Sequence, residues 1–402
     1  MATDPIERRT AATATLATGP RFHALPPLSL YIHVPWCVRK CPYCDFNSHE
    51  ARGDIPETAY VAALIADLEH AIPLVWGRRV QSVFFGGGTP SLLSGAAVET
   101  LLSAVRARIP LAVDAEVTLE ANPGTFESGK FGAYRAAGVN RLSIGIQSFD
   151  PAHLASLGRI HDDVQAAHAI DIARQHFENF NLDLMYGLPR QTIAQAEADV
   201  SRALAYAPPH LSFYHLTIEP NTYFHRHPPV VPDDDTAAGM QEMIEKLTAD
   251  AGYEHYETSA YSLRGRKSRH NLNYWTYGDY LGVGAGAHSK ISFSSRIVRQ
   301  ARHRSPRDYM ARTAAGNAVQ SEHEVAARDI PFEFMMNVLR LSDGFPSSLF
   351  PERAGLPVVT VLRTLDEAER RGFVSRDHER VVPTDRGRRF LNDLLQLFLP
   401  SG

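Results

Sequence analysis

The chain has 402 residues, of which 44% are hydrophobic and 21% charged, with a net charge of −4. It is long enough to bury a large core as two units or as one barrel with an appendage, and its mildly acidic balance offers no basic field to draw nucleic acid or anionic lipid. No apolar run approaches the roughly 18 residues that a membrane helix needs.

Residues 1–27, rich in Ala, Thr, Pro and Arg without periodicity, are expected to form a flexible tail. Arg8, Arg9 and Arg21 would suit a mitochondrial presequence, but Asp4 and Glu7 argue against one. From Leu28 a rhythm begins. Strands are predicted at Leu28–Val34, Val80–Phe85, Ala115–Glu120, Arg141–Ile146, Asn181–Met185 and Leu211–Ile218. Helical patterns separate them, as at Glu57–Glu69 and at Ala96–Arg108, where Val98, Leu101, Leu102 and Val105 recur at helical spacing. Strands alternating with helices imply a parallel sheet. Six such units are too few for a closed eight-stranded barrel. The expected fold is therefore α/β, an open three-quarter TIM-type βα barrel with its extension over 28–300, followed by a small unit over 310–400.

In such barrels chemistry collects on the loops after the C-terminal ends of the strands, and the unusual residues of this chain fall there. The first strand leads into Cys37-Val38-Arg39-Lys40-Cys41-Pro42-Tyr43-Cys44, which holds all three cysteines at the spacing C-x3-C-x2-C. A cubane 4Fe–4S cluster normally takes one cysteine per iron, so three thiolates hold a cluster and leave one iron open. A structural zinc would need a fourth ligand, for which His33 and His49 are the nearby choices, and no second C-x2-C pair exists. The odd count and the lack of a signal peptide speak against secreted disulfides. The loop, with Tyr43 before its last cysteine, resembles the signature of radical S-adenosylmethionine (SAM) proteins, in which the amino and carboxylate groups of SAM chelate the open iron. Reduced thiols and an oxygen-sensitive cluster imply the cytoplasm.

The second strand leads into Gly86-Gly87-Gly88-Thr89-Pro90, which lacks a phosphate-loop Lys but lets backbone groups approach a ligand closely. The third ends at Glu120-Ala121-Asn122-Pro123, the fourth at Gln147, and the fifth, carrying Asp183, at Tyr186-Gly187-Leu188-Pro189. Carboxylates at the ends of apolar strands need pairing or solvation, and a cofactor with an ammonium, a sulfonium and ribose hydroxyls supplies partners. Arg159 is either a surface cation or a bidentate partner for the SAM carboxylate.

Beyond the barrel, Asp233–Asp235 cap a helix running through Leu247. A basic patch at Arg264, Arg266, Lys267 and Arg269 then precedes His270-Asn271-Leu272-Asn273-Tyr274-Trp275 and the glycine-rich Gly282–His288. A His between aromatic residues is either a structural corner or an axial ligand beside a flat pocket for a porphyrin; His288 is the second choice. Helices at Phe332–Leu341 and Val358–Arg371, a hairpin over Gly372–Thr384 and a helix at Arg386–Leu397 suggest a winged-helix-like α+β unit. Arg363, Arg370 and Arg371 alternate with Asp366, Glu367 and Glu369, which leaves no basic face for DNA.

From Leu28 to the C-terminus the chain closely resembles the HemW haem chaperones, the oxygen-independent coproporphyrinogen III oxidase-like branch of radical SAM proteins. The matching stretches include Ser29–Trp36, Phe85–Ser94, Asn181–Pro189 and His270–Trp275. The resemblance implies that Cys37, Cys41 and Cys44 bind the cluster. It also implies that Tyr31, Tyr43, Gly87, Gly88, Thr89, Glu120, Gln147, Arg159 and Asp183 contact SAM, and it places haem on the motif that opens with His270. It implies a carrier that delivers haem to acceptor haemoproteins, respiratory ones among them, with a peripheral membrane contact and a homodimer as further expectations. No catalytic residue is assigned, and cleavage of SAM is left open. The true coproporphyrinogen oxidases have a further cysteine two residues after the third, where this chain has Phe46, and a longer ordered N-terminal segment. The decarboxylase is therefore the alternative reading.

Overall fold

The structure, a computed structural model, describes residues 19–123 and 128–400. Six parallel strands lie where the sequence places them: β1 Leu28–Val34, β2 Val80–Gly87, β3 Leu111–Ala121, β4 Arg141–Gln147, β5 Phe180–Tyr186 and β6 His210–His215. Helices between them include Glu57–Ala71, Gly95–Arg108, Asp163–His176 and Ile193–Ala205. Ser94 caps the second by accepting from the Ala97 amide, and Asp162 and Thr192 open the last two with capping boxes.

Alternation along the strands makes two faces. Leu30, Ile32, Val83, Phe85, Leu119, Leu142, Ile144, Leu182 and Leu184 are buried in the main core with the helices. The alternate residues, among them Tyr31, Ser82, Thr118, Glu120, Arg141, Ser143, Asn181, Asp183 and His210, occupy the other side, the barrel lumen. Each outward Leu, Ile or Phe contributes about 1.5–3 kcal/mol by burial. A one-residue slip would exchange that layer for charges, so the register is fixed.

The sheet extends further than the sequence suggested. Beyond β6 lie β7 Glu254–Glu257 and β8 Ala260–Ser262. On the other side of β1 lies β9 Asp279–Val283, followed by β10 His288–Ser292, β11 Ile297–Arg302 and β12 Val319–Glu324. The spatial order is β12-β11-β10-β9-β1-β2-β3-β4-β5-β6-β8-β7, a single open sheet. β9 pairs parallel with β1, making a seventh parallel strand that runs into the glycine-rich segment at Gly282 and Val283. Its Gly282 is there for proximity, since an added Cβ would stand 2.1 Å from the His288 carbonyl oxygen.

The helix after Asp233 runs Asp234–Asp250. One helical run, Glu57–Val75, is long and apolar enough by composition to cross a membrane, contrary to the expectation of none. Its Tyr60, Leu64, Leu68, Ala71 and Val75 are buried in the main core, so it packs as a core helix. At the C-terminus the helices Ile330–Val338 and Val359–Arg370 precede the antiparallel pair Val374–Arg376 and Arg380–Pro383. The last expected helix is two, Asp385–Arg389 and Leu391–Gln396, because the backbone at Phe390 (φ −111°, ψ 44°) leaves helical geometry. This second core also takes in Tyr277, Ile297 and Val325 from the sheet side. Residues 1–18 of the expected tail lie outside the described residues. The rest is strapped down: the Arg21 amide donates to Gly355 O, the Phe22 amide to Ser294 O, and the Phe22 ring packs on the second core.

Candidate functional site

The loops after β1 to β6 enclose a cavity of about 450 Å³ at the C-terminal end of the strands, lined by Cys37, Cys41 and Cys44. Eight more of the residues expected at the site line it: Tyr43, Gly87, Gly88, Thr89, Glu120, Gln147, Arg159 and Asp183. Tyr31 is not among them. It lies deeper along β1, its hydroxyl bonded to His33 Nδ1 at 3.0 Å and its ring stacked on Phe84.

The glycines are needed because the β2 end abuts the cysteine loop. A Cβ on Gly87, where φ is 120°, would sit 2.6 Å from the His33 ring, and one on Gly88 would sit 2.5 Å from Trp36 O and 3.1 Å from Cys37 Sγ. Gln147, the last residue of β4, has a φ of 68°, and its amide and the Arg159 guanidinium both lie against Gly145. Such strain in a non-glycine residue clusters at ligand sites.

All three thiols are free. Burial pushes the Cys37 and Cys44 thiols up, so a metal must displace their protons. Among the described residues no three His, Cys, Asp or Glu groups converge on one metal ion; a cubane, with one thiolate per iron, does not ask for that. His33 has both ring nitrogens engaged, with Tyr31 and with Asn47 O, and His49 Nε2 faces Arg304 O. Neither is therefore turned to the thiols as a zinc ligand. Arg159 is held between Gly145 O at 2.8 Å and Cys41 Sγ at 3.7 Å, while its Nε is buried without a partner. The floor carries two carboxylates. Glu120 accepts from the Gly87 amide at 3.2 Å, and burial followed by the nearby Asp183 raises its pKa to about 8. Asp183 accepts from Ser143 Oγ at 2.7 Å and from Asn181 Nδ2 at 2.8 Å; burial raises its pKa, and these donors oppose the rise. A cation entering here would favour the charged form of both. Three thiols, a glycine loop, a buried guanidinium and two floor carboxylates thus fit a three-cysteine cluster with a ligand that is both cationic and carboxylate-bearing.

Ser143, Tyr214 and His215 also line the cavity and were missed. Ser143 and Tyr214 could have been found as inward positions on strands whose alternate residues are apolar.

The Arg269–Trp275 helix lies away from this cavity. Its His270 Nδ1 bonds Ser82 Oγ at 3.0 Å and its ring packs on Phe84, while Asn273 Nδ2 donates to Ser29 Oγ. It therefore closes the lumen near the starts of β1 and β2. Burial, then Arg141, lowers the His270 pKa to about 3. Two cations of the basic patch before it are engaged, Lys267 with Glu254 at 3.1 Å and Arg269 with Asp114 at 2.7 Å. Arg340 lies over the Trp275 ring at 4.3 Å.

An open βα barrel with this loop set defines a radical SAM protein: the superfamily pattern matches residues 31–203, and the HemN C-terminal domain pattern matches residues 325–390. Over 377 residues the chain is 50% identical to the heme chaperone HemW of Escherichia coli (strain K12), covering 93% of this chain and 99% of that protein. It is 45% identical over 381 residues to the heme chaperone HemW of Haemophilus influenzae, covering 93% and 98%. The chain belongs to the HemW family of radical SAM proteins. The solved structure of coproporphyrinogen III oxidase (HemN) from E. coli, a radical SAM enzyme, superposes with a TM-score of 0.80 at 23% identity, covering 97% of this chain and 93% of that one. That likeness concerns the fold.

Proposed function

We propose that this protein is a haem chaperone that holds a 4Fe–4S cluster on Cys37, Cys41 and Cys44, binds SAM against it, and passes haem to acceptor haemoproteins. The observation that carries the reading is the single cavity in which the three free thiols face Glu120, Asp183 and Arg159, in a chain whose relatives along 93% of its length are named heme chaperones. When bound, the cluster would supply an open iron for the amino and carboxylate groups of SAM. The chain's own residues do the rest: Arg159 meets a carboxylate, Glu120 and Asp183 accept from ammonium or ribose donors, and the glycine loop admits the ligand to backbone contact.

His270 is the proposed haem ligand. What supports it is the placement of the ring: Nδ1 is engaged by Ser82 Oγ, a hydroxyl that can accept its proton, which leaves Nε2 for iron. Its lowered pKa keeps the ring neutral, as ligation requires. The acceptors are proposed to be respiratory haemoproteins, approached through a peripheral membrane contact, and the working unit to be a homodimer in the cytoplasm.

The alternative is oxygen-independent coproporphyrinogen III oxidase. Phe46, 65% exposed at the cavity rim, stands where that enzyme has its further cysteine. Anaerobically reconstituted protein given coproporphyrinogen III, SAM and a reductant should yield no protoporphyrinogen while binding haem in a titration; turnover would replace the chaperone reading with the decarboxylase.

A further inference from the structure

Beneath the cavity floor the lumen holds a row of polar side chains on successive strands. Glu120 of β3, Ser143 of β4, Asn181 of β5 and His210 of β6 are Cα partners in turn across the sheet. Asn181 and His210 are 2% and 0% exposed, so every polar atom must find a partner inside. His210 Nδ1 meets Asn181 Oδ1 at 2.6 Å, and its Nε2 meets Tyr256 Oη at 2.7 Å. Tyr256 Oη in turn accepts from the Ser268 amide at 3.3 Å, and Ser268 caps the helix that carries His270.

The donor inventory fixes the direction of this chain. Asn181 gives its NH2 to the Asp183 carboxylate and to Ser143 Oγ, so its carbonyl oxygen faces His210 and also accepts from Ser212 Oγ at 3.1 Å, the longer of the two contacts. His210 Nδ1 therefore carries the proton and Nε2 accepts from the Tyr256 hydroxyl. Burial and Arg141 lower the His210 pKa well below its ordinary value, in keeping with a neutral ring. Every proton from Ser268 onward points toward Asp183, and aligned hydrogen bonds polarise one another.

We propose that His210 is a positioning residue for the cofactor site: through Asn181 it orients the Asp183 carboxylate and holds it ionised as a pure acceptor, and it does so from the capped end of the His270 helix. This rests on the reading that Asp183 contacts SAM. The other charged or titratable groups facing Asp183 are Arg141 from β4, Glu120 from β3, Tyr214 from β6 and Arg159, whose Nη2 lies on Gly145, the Cα partner of Asp183. None of the carboxylates makes a hydrogen bond to Arg141, whose Nε is buried without a partner. Direct control of Asp183 thus falls to its hydrogen-bond donors.

The test is SAM affinity of the cluster-loaded protein, measured by equilibrium dialysis from about pH 6 to pH 9, for wild type, Asp183→Asn, His210→Leu and Tyr256→Phe. Asp183→Asn should bind weakly throughout. His210→Leu should bind about tenfold more weakly at the acid end and approach wild type at the alkaline end, because a carboxylate with weaker donors needs a higher pH to ionise. Tyr256→Phe, nearly isosteric and three hydrogen bonds from the carboxylate, should show the same trend at about two- to threefold. Asp183 contributes to the raised pKa of Glu120, so the ratios to wild type read the two carboxylates together. Packing damage would weaken binding equally at every pH. If the Tyr256→Phe and His210→Leu ratios to wild type are flat across pH while Asp183→Asn is impaired, the positioning role is overturned and the SAM reading stands. If Asp183→Asn binds like wild type, the reading beneath it falls and the proposal with it.

Discussion

The backbone amide of Gly87 donates to Glu120 Oε2, so the glycine loop after β2 and the carboxylate at the end of β3 form one element of the cavity. The bond also explains why an acid sits on the lumen side of a strand whose outward neighbours, Leu119 and Ala121, are apolar and buried.

Glu120 titrates near pH 8 against an ordinary value of 4.5. The folded-state value is the higher, so between the two the native protein keeps a proton that the unfolded chain has released. The contribution of Glu120 to the stability of the cofactor-free protein should be greatest at the acid end of that interval and be lost as pH rises through 8. Glu120→Gln should flatten the slope in thermal denaturation; parallel curves for wild type and variant would show that Glu120 is not the group responsible.

Gly88→Ala places a methyl group against Trp36 O and Cys37 Sγ, and backbone cannot yield as a flexible side chain does. A loss of about 1–3 kcal/mol, together with loss of cluster iron after reconstitution, is expected. Retention of full iron and stability would mean that the loop shifts freely.

Replacing Cys37, Cys41 or Cys44 by Ala should abolish the brown absorbance and the iron and sulfide content. Arg159→Met should keep the iron and lose about tenfold or more in SAM affinity, since it removes a charged hydrogen-bond partner. Zinc without iron in anaerobically purified wild type would remove the cluster from this account.

His270→Ala should retain iron and SAM binding and lose most haem binding, with the Soret band of residual haem displaced. It also removes the contacts to Ser82 and Phe84, so about 1–3 kcal/mol of stability should go with it. His288 is the control. It is exposed at the start of β10, and if His288→Ala rather than His270→Ala loses haem, the ligand moves there.

The sequence by itself determined six parallel strands, the polarity of the barrel and the set of loops that carry the chemistry, because alternation of apolar strands with helices admits few topologies and because cysteine spacing, a glycine triplet and strand-end acids are local signals. Folding brought Cys37, Glu120, Gln147, Arg159 and Asp183 to one cavity, which follows from the rule that such barrels gather loops at one end. Other features only the tertiary structure decided. β9 is concealed by the glycines that let it lie against β10, and a strand whose identity rests on close approach leaves no hydrophobic period to read. Tyr31 and His270 were legible as residues but not as places: the first lies beneath the cavity and the second across the lumen from it, on Ser82. The Asp183–Asn181–His210–Tyr256 row joins β5, β6 and β7, and its direction comes from which atoms meet. No spacing along the chain encodes that, since hydrogen-bond satisfaction in a buried lumen is settled between strands rather than within them.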